Sequence, residues 1–395
     1  MAEIRELTIE KLVYGGDGLA RMAPNDASNA ASNDASGDGR QQVVFVPFVL
    51  PGEVVRVELE PPARGRTTAR LLEVLQPAPE RIAPPCEYFG RCGGCQLQHA
   101  PAERQLELKR GMLIETLRRT GGLIPGEAWT GDVVLHAAEP WAYRNRVRLQ
   151  RTPEGVGYYE RDSHRVLPVT HCPIASASIE GAIGTLAPGE REEIELAVDN
   201  DDHGLASDAP LEFSVASHRY RVSAGSFFQV NRFLTEELVE VVTGGVSGGV
   251  AGSTAIDLFS GVGLFALPLV DRGFTRVHAV ESHPAAYDDL RFNVASAEAV
   301  RASRRPALEF VRQWKYGPPD LIVADPPRTG LGREMVAALL EAAPRRLHLV
   351  SCDPSTLGRD LRGLLAAGYA ITEMHLLDLF PQTYHLETVV KLSLG

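Results

Sequence analysis

The chain has 395 residues, 44% of them hydrophobic and 23% charged, with a formal net charge of −11. That length exceeds one ordinary core and predicts two or three domains, and no apolar run reaches the roughly 18 residues that a membrane-spanning helix needs. The acidic balance argues weakly against a nucleic-acid partner, since phosphate contacts need Lys and Arg, although local patches decide such binding.

Met1-Ala2-Glu3-Ile4-Arg5-Glu6 lacks the basic-then-apolar pattern of a secretory signal, so a cytoplasmic location is expected. Residues 6–10, 42–46, 53–59 and 69–74 alternate as short strands, with turn formers at Gly15-Gly16-Asp17-Gly18 and Leu50-Pro51-Gly52, and predict a small β-barrel over 1–76. Residues 25–39, rich in Asn, Ala, Ser, Asp and Gly, read as a disordered insertion with no assigned role.

A Pro-rich link then leads to Cys86, Cys92 and Cys95 in C-x5-C-x2-C spacing, with Cys172 as a possible fourth ligand. In a reducing compartment such a group suggests metal binding or catalysis rather than disulfides. Four thiolates suit tetrahedral zinc or an iron–sulfur cluster. Three close ligands and one distant one favour the cluster modestly over zinc, which more often takes two close pairs. A helix is expected over 102–119, followed by a strand-rich stretch from about 130 to 222. In it, two-residue spacing puts Arg144, Arg146 and Arg148 on one strand face, either as an RNA-facing patch or as an ordinary solvated face.

From Val230 onward, strands and helices alternate, the signature of a doubly wound α/β domain. Thr254-Ala255-Ile256-Asp257-Leu258-Phe259 ends a strand, and Ser260-Gly261-Val262-Gly263 turns into a helix. Glycines there permit a tight turn and close approach of a ligand. By itself the loop fits a dinucleotide site or S-adenosylmethionine (SAM), with Glu281 at the end of the next strand placed to accept ribose hydroxyls. Asp257 favours SAM, because a carboxylate suits the donor's ammonium and repels a pyrophosphate. Asp325-Pro326-Pro327-Arg328 ends a further strand and leaves Asp325 at the sheet's carboxyl edge, where ligands of α/β folds bind.

Cys352, in Ser351-Cys352-Asp353-Pro354, follows another strand to that edge. A lone cysteine is commonly just a small buried hydrophobe, but beside a methyl donor it is a candidate nucleophile. Near the C-terminus Glu387 offers a base. Carbon 5 of uracil needs such a pair: thiolate addition at C6 makes C5 nucleophilic, and a base must then remove the C5 proton. The thiolate requires a depressed pKa or local base assistance.

On these motifs residues 224–392 resemble the RNA (uracil-C5)-methyltransferases. The matching pieces are Ser226-Phe227-Phe228-Gln229-Val230-Asn231, the 257–263 loop, Asp325-Pro326-Pro327-Arg328, Ser351-Cys352-Asp353-Pro354 and His385-Leu386-Glu387-Thr388-Val389. The resemblance implies an α/β, Rossmann-like SAM-dependent methyltransferase domain over 224–395, an N-terminal TRAM-like RNA-binding β-barrel over 1–76, and a central β-rich iron–sulfur domain over 77–223. It implies Cys352 as nucleophile, Glu387 as general base, and Gln229, Phe259, Glu281 and Asp325 as SAM contacts. It further implies that Cys86, Cys92, Cys95 and Cys172 hold a [4Fe-4S] cluster, as in the 23S ribosomal-RNA branch of the family. The expected substrate is a uridine in 23S rRNA, with no membrane association and no obligate protein partner. The alternatives are a transfer-RNA uracil-C5 methyltransferase, or a non-catalytic RNA-binding protein that retains the fold. An NAD-dependent oxidoreductase would leave Cys352, Glu387 and the cysteine quartet without a role.

Overall fold

The computed structural model describes residues 3–22, 42–63, 65–204, 209–249 and 252–395, so the 25–39 insertion lies outside the described residues. The chain divides into two compact units, Met1–Met112 with Gln382–Tyr384, and Leu113–Pro381 with His385–Gly395. This differs from the three expected parts at 1–76, 77–223 and 224–395. One reason is that a strand from the expected central part joins the sheet of the last one.

In the first unit β1 (Glu3–Thr8), β2 (Lys11–Leu12), β3 (Gly18–Met22), β4 (Gln42–Val46), β5 (Val54–Leu59) and β6 (Thr67–Gln76) form one sheet in the order β1-β5-β6-β4-β3-β2. Alternation places Leu7, Ala20, Val44, Val46, Val55, Val57 and Ala69 in a single core, so the sheet coils around its own apolar face. β3 was hidden in the sequence because it opens on Gly18, where a Cβ would lie 2.3 Å from the Val49 side chain. Four arginines of this sheet and its loops carry acidic partners: Arg21 with Glu10, Arg56 with Glu6 and Glu73, Arg66 with Asp17, and Arg70 with Glu58. Cys86, Cys92 and Cys95 follow in a turn-rich segment, and then α1 (Ala102–Gly121) begins.

The second unit contains β7 (Val134–His136), β8 (Arg146–Thr152), β9 (Gly155–Tyr159), β10 (Val166–Pro168), α2 (Ala177–Ile183), β11 (Glu192–Ala197), β12 (Leu211–Val215) and β13 (His218–Val222). After α3 (Thr235–Thr243) come β14 (Thr254–Leu258), α4 (Ala266–Asp271), β15 (Arg276–Glu281), α5 (Pro284–Asn293), β16 (Val300–Arg304) and α6 (Ala307–Arg312). β17 (Leu321–Ala324), α7 (Gly332–Ala342), β18 (Arg346–Ser351), α8 (Pro354–Ala366), β19 (Tyr369–Leu377) and β20 (Glu387–Leu394) complete it. Its main sheet runs β16-β15-β14-β17-β18-β20-β19-β7. β20 inserts antiparallel between β18 and β19, and β7 adds a parallel edge to β19. All five residues of β14 are buried, as expected for a strand covered on both faces.

β8 pairs with β11, and the register sets Arg148 opposite Glu195 and Arg151 opposite Glu192. Arg148 donates to Glu195 at 2.9 Å, Arg151 to Glu192 at 3.1 Å, and Arg146 stands 3.7 Å from Glu195. Of the basic face read from sequence, Arg146 and Arg148 are therefore neutralised across the ladder, whereas Arg144 precedes β8 and bridges Ala175 and Asn231 instead. Among the described residues no helix is long and apolar enough to cross a membrane.

Candidate active site

The carboxyl edge of the main sheet gathers the candidate residues, each fixed by local sequence. Asp257, next to last in β14, is fully buried, and neither of its carboxylate oxygens has a hydrogen-bond partner, the Ser260 hydroxyl donating instead to its main-chain carbonyl at 2.6 Å. Burial first, then the charges of Asp325 and Glu281, raise its pKa well above the usual carboxylate range, with Ser260 opposing. An orphaned buried carboxylate is costly unless something cationic meets it. The donor set therefore fits a sulfonium and ammonium group such as SAM carries.

Beyond it the chain turns sharply. Phe259 has φ 61°, unusual for a bulky side chain, and Gly261 and Gly263 follow at 55° and 93°. A Cβ at Gly263 would come within 2.8 Å of Leu290, whereas one at Gly261 would meet nothing within 4 Å. Gly263 is needed for packing, and Gly261 leaves open space at the loop. Glu281 accepts the Gly261 N–H at 2.9 Å and the Ser282 and His283 N–H groups at 2.6 Å each, so it ties the loop to the end of β15. Gln229 is buried, and its main-chain carbonyl accepts the Asn145 amide at 3.1 Å. Upstream, Ser226 and Ser223 donate to the buried Asp289 at 2.7 Å, anchoring this segment on α5.

Ser351-Cys352-Asp353-Pro354 is a strand end joined to a helix start. Asp353 caps α8, accepting the Ser355 and Thr356 N–H groups at 2.8 and 3.1 Å, and Pro354 occupies the first turn. Cys352 is thereby held just outside a helix N-terminus, half-buried. Ser351 pairs with Thr388 across β18 and β20, so one step outward Cys352 faces Glu387. Glu387 is buried, and burial and then the Asp325 charge raise its pKa well above normal, with Arg328 opposing. Asp325 follows β17 and is pushed up to about 7 by burial. The Cys352 thiol is pushed up to about 11, by burial first and then by Glu387, again with Arg328 opposing. A depressed thiol pKa is thus not present in the free protein, which leaves base assistance or added positive charge to generate the thiolate.

Asp325 links two groups: Asp257 and Glu281 on one side, Cys352, Glu387 and Arg328 on the other. The charge of Arg328 toward Cys352 and Glu387 was missed in the sequence, although its motif was visible there, because nothing in the spacing says where that side chain faces.

The cysteine quartet comes out differently. Among the described residues no group of three or more His, Cys, Asp or Glu side chains could hold a metal ion. Cys86, Cys92 and Cys95 belong to the first unit and Cys172 to the second. Cys92 accepts the Gly94 N–H at 3.4 Å, and Cys172 is raised in pKa by burial, against the Tyr158 hydroxyl and the Ile174 amide. The chemistry at Cys352 and Glu387 does not pass through these four thiols.

Residues 206–394 match a family described as tRNA (Uracil-5-)-methyltransferase. The chain is 34% identical to an uncharacterized RNA methyltransferase of Streptomyces coelicolor, with 100% of this chain and 93% of that protein covered. It is 29% identical to the protein named 23S rRNA (uracil(1939)-C(5))-methyltransferase RlmD of Alkalilimnicola ehrlichii, covering 93% and 97% of the two. The crystal structure of Pyrococcus abyssi tRNA (uracil-54, C5)-methyltransferase in complex with S-adenosyl-L-homocysteine superposes with a TM-score of 0.72 at 24% identity, over 98% and 100% of the chains. That likeness shows a shared fold.

Proposed function

Because the chain belongs to the SAM-dependent RNA (uracil-C5)-methyltransferase family, we propose that it methylates carbon 5 of a uridine in 23S rRNA through a covalent Cys352–C6 adduct. The observation that carries this reading is the opposition of Cys352 and Glu387 across β18 and β20, with Asp325 shared between them and the Asp257 side.

In the proposed sequence, the Cys352 thiolate adds to C6 of a uracil turned out of its stack. SAM, when bound, supplies the methyl cation. Asp257 holds the donor's ammonium, Glu281 its ribose hydroxyls, and Gln229, Phe259 and Asp325 complete the contact. C5 takes the methyl group, and the donor leaves as S-adenosylhomocysteine. Glu387 then removes the C5 proton, the C5–C6 double bond re-forms, and the C6–S bond breaks to release Cys352.

The free site is short of positive charge: Asp257, Asp325 and Glu387 are all raised, and the Arg328 guanidinium opposes the shift only at Glu387 and Cys352. A cationic donor beside Asp257 and Asp325 offsets their negative charge and so lowers the cost of a thiolate at Cys352. Donor binding therefore precedes thiolate attack.

Support for 23S rRNA comes from the relatives carrying that name. Transfer RNA is the second reading, favoured by the family description. Methylation of purified 23S rRNA and of bulk transfer RNA, both from cells lacking the enzyme, separates them: label in a single 23S position supports the proposal, and label only in transfer RNA overturns it.

The first unit's coiled sheet is the TRAM-like RNA-binding module of this proposal, and the cytoplasm its compartment. Four soft thiolates and their spacing support a [4Fe-4S] cluster at Cys86, Cys92, Cys95 and Cys172, with no part in bond making. Iron and sulfide analysis of anaerobically purified protein tests it; colourless protein without iron ends that reading.

A further inference from the structure

Arginines on β6 and β8 are paired with carboxylates, but one group of cations in the second unit is not. The register of β15 with the edge strand β16 sets Arg301 opposite His278. Arg276, two positions before His278 on β15, lies on the same face of the sheet. Arg276, Arg301 and Lys315 are exposed, and among the described residues none of the three has an acidic partner. Arg276 donates only to the Gly252 carbonyl. Three carboxylates of neighbouring segments are engaged elsewhere: Asp320 stands 3.4 Å from Arg345, Glu334 accepts from Arg312 at 2.9 Å, and Glu309 accepts from the Gln313 amide at 3.1 Å. Burial first, then the charges of Arg301 and Arg276, lower the His278 pKa, so both guanidiniums act on this face.

A row of rings leads outward from the same face. His278 meets Trp314 edge-on with centroids 5.1 Å apart, and Trp314 meets Tyr316 in the same manner at 5.1 Å. Trp314 is fixed by its Nε1, which donates to the Gly317 carbonyl at 2.6 Å, and by Phe310 of α6 at 5.9 Å. The row ends in Tyr316, which is 80% exposed. One exposed ring needs no explanation. A row of rings running from a sheet face into solvent, among cations without carboxylates, has the composition of a surface that stacks bases and meets phosphates. An acidic protein patch would satisfy the cations and leave the outermost ring unused; RNA uses both.

We propose that Tyr316, Arg276, Arg301 and Lys315 form a docking surface for unpaired RNA that flanks the substrate uridine, with Tyr316 stacking on a base and the cations meeting backbone phosphates. The inference rests on the RNA-methylating function proposed above. Arg276 begins β15 and Glu281 ends it, which separates the surface from the carboxyl edge by roughly 16 Å at 3.3 Å per residue. The substrate uridine does not reach that far, so the surface holds nucleotides beyond it and takes no part in bond making.

The test uses the full-length protein and a 23S rRNA fragment that it methylates, in two forms: one trimmed to the labelled uridine and its immediate neighbours, the other extended by about ten unpaired nucleotides on each side, within the span that such surfaces bind. Filter binding over a range of salt reads the affinity. For the extended form, Tyr316→Ala is expected to lower affinity about tenfold while the slope of log affinity against log salt stays the same. Arg301→Ala is expected to reduce that slope by about 0.7, the loss of one phosphate contact on a single strand. The trimmed form keeps its wild-type affinity in both variants. Wild-type affinity and slope for the extended form in both variants overturn the inference, and so does equal weakening of the trimmed form. Methylation by the wild-type chain, followed in parallel, separates the two readings. Methylation together with unweakened variants removes the docking surface alone, whereas a wild-type chain that methylates no RNA removes the proposed function and the surface with it.

Discussion

Cys352 and Glu387 stand opposite each other one position beyond the Ser351–Thr388 pair of β18 and β20. Each arrives from a different kind of strand end: β18 stops into the Asp353-capped helix, whereas β20 starts at Glu387. Burial first raises both pKa values, with the Glu387 charge adding to that of Cys352 and the Asp325 charge to both. Both groups are thus biased toward their protonated forms in the free protein.

A pH dependence follows from these directions. Glu387 must lose its proton to act as base, and its pKa is raised by burial and by Asp325. Asp325 itself titrates near 7, and the Cys352 thiol near 11. The rate of release from the adduct is expected to rise with pH above the ordinary carboxylate range. Asp325→Asn, by removing a neighbouring negative charge, shifts that rise to lower pH. A pH–rate profile of single turnovers checks both, and a rate that falls over this range contradicts the assignment.

Asp257 trades stability for ligand binding. Its pKa is raised from 3.8 in the folded state, so the folded chain holds a proton that the unfolded chain has released. Its contribution is present below about pH 4 and is lost as the pH rises toward the raised folded value. At about pH 8, Asp257→Asn is therefore expected to stabilise the free protein by on the order of 2 kcal/mol. It should also weaken SAM binding by about tenfold or more, since each 1.4 kcal/mol is a factor of ten. Thermal unfolding and calorimetric titration read the two effects, and the stabilisation should vanish near pH 4.

The arginines of β8 are expected to contribute little to RNA affinity. Arg148 and Arg151 are held by Glu195 and Glu192, and exposed pairs of this kind contribute about 0–1 kcal/mol. Arg148→Ala should leave the slope of log affinity against log salt unchanged, whereas a lost phosphate contact reduces it by about 0.7–0.9. Salt titrations of RNA binding decide between the two.

Much of the site was legible in the sequence because strand-end motifs carry their own context. Asp257, Glu281, Asp325 and Cys352 follow strands recognisable as apolar runs, and parallel strands share one carboxyl edge. What could not be read depends on pairing between distant segments. The insertion of β20 between β18 and β19 sets Glu387 against Cys352. The β8–β11 register neutralises arginines that look like a basic face when β8 is read by itself. The ring row from His278 to Trp314 and Tyr316 likewise joins β15 to the segment after α6. The direction of the Cys352 shift was equally hidden, since burial and neighbouring carboxyls act through space.

The most direct test of the account is to incubate Glu387→Gln with labelled SAM and 23S rRNA fragments and to analyse the protein by mass spectrometry. The account predicts a covalent protein–RNA adduct, carrying the methyl group and attached through Cys352, that does not resolve because the C5 proton stays in place. No adduct with Glu387→Gln, together with normal turnover by Cys352→Ala, would contradict it.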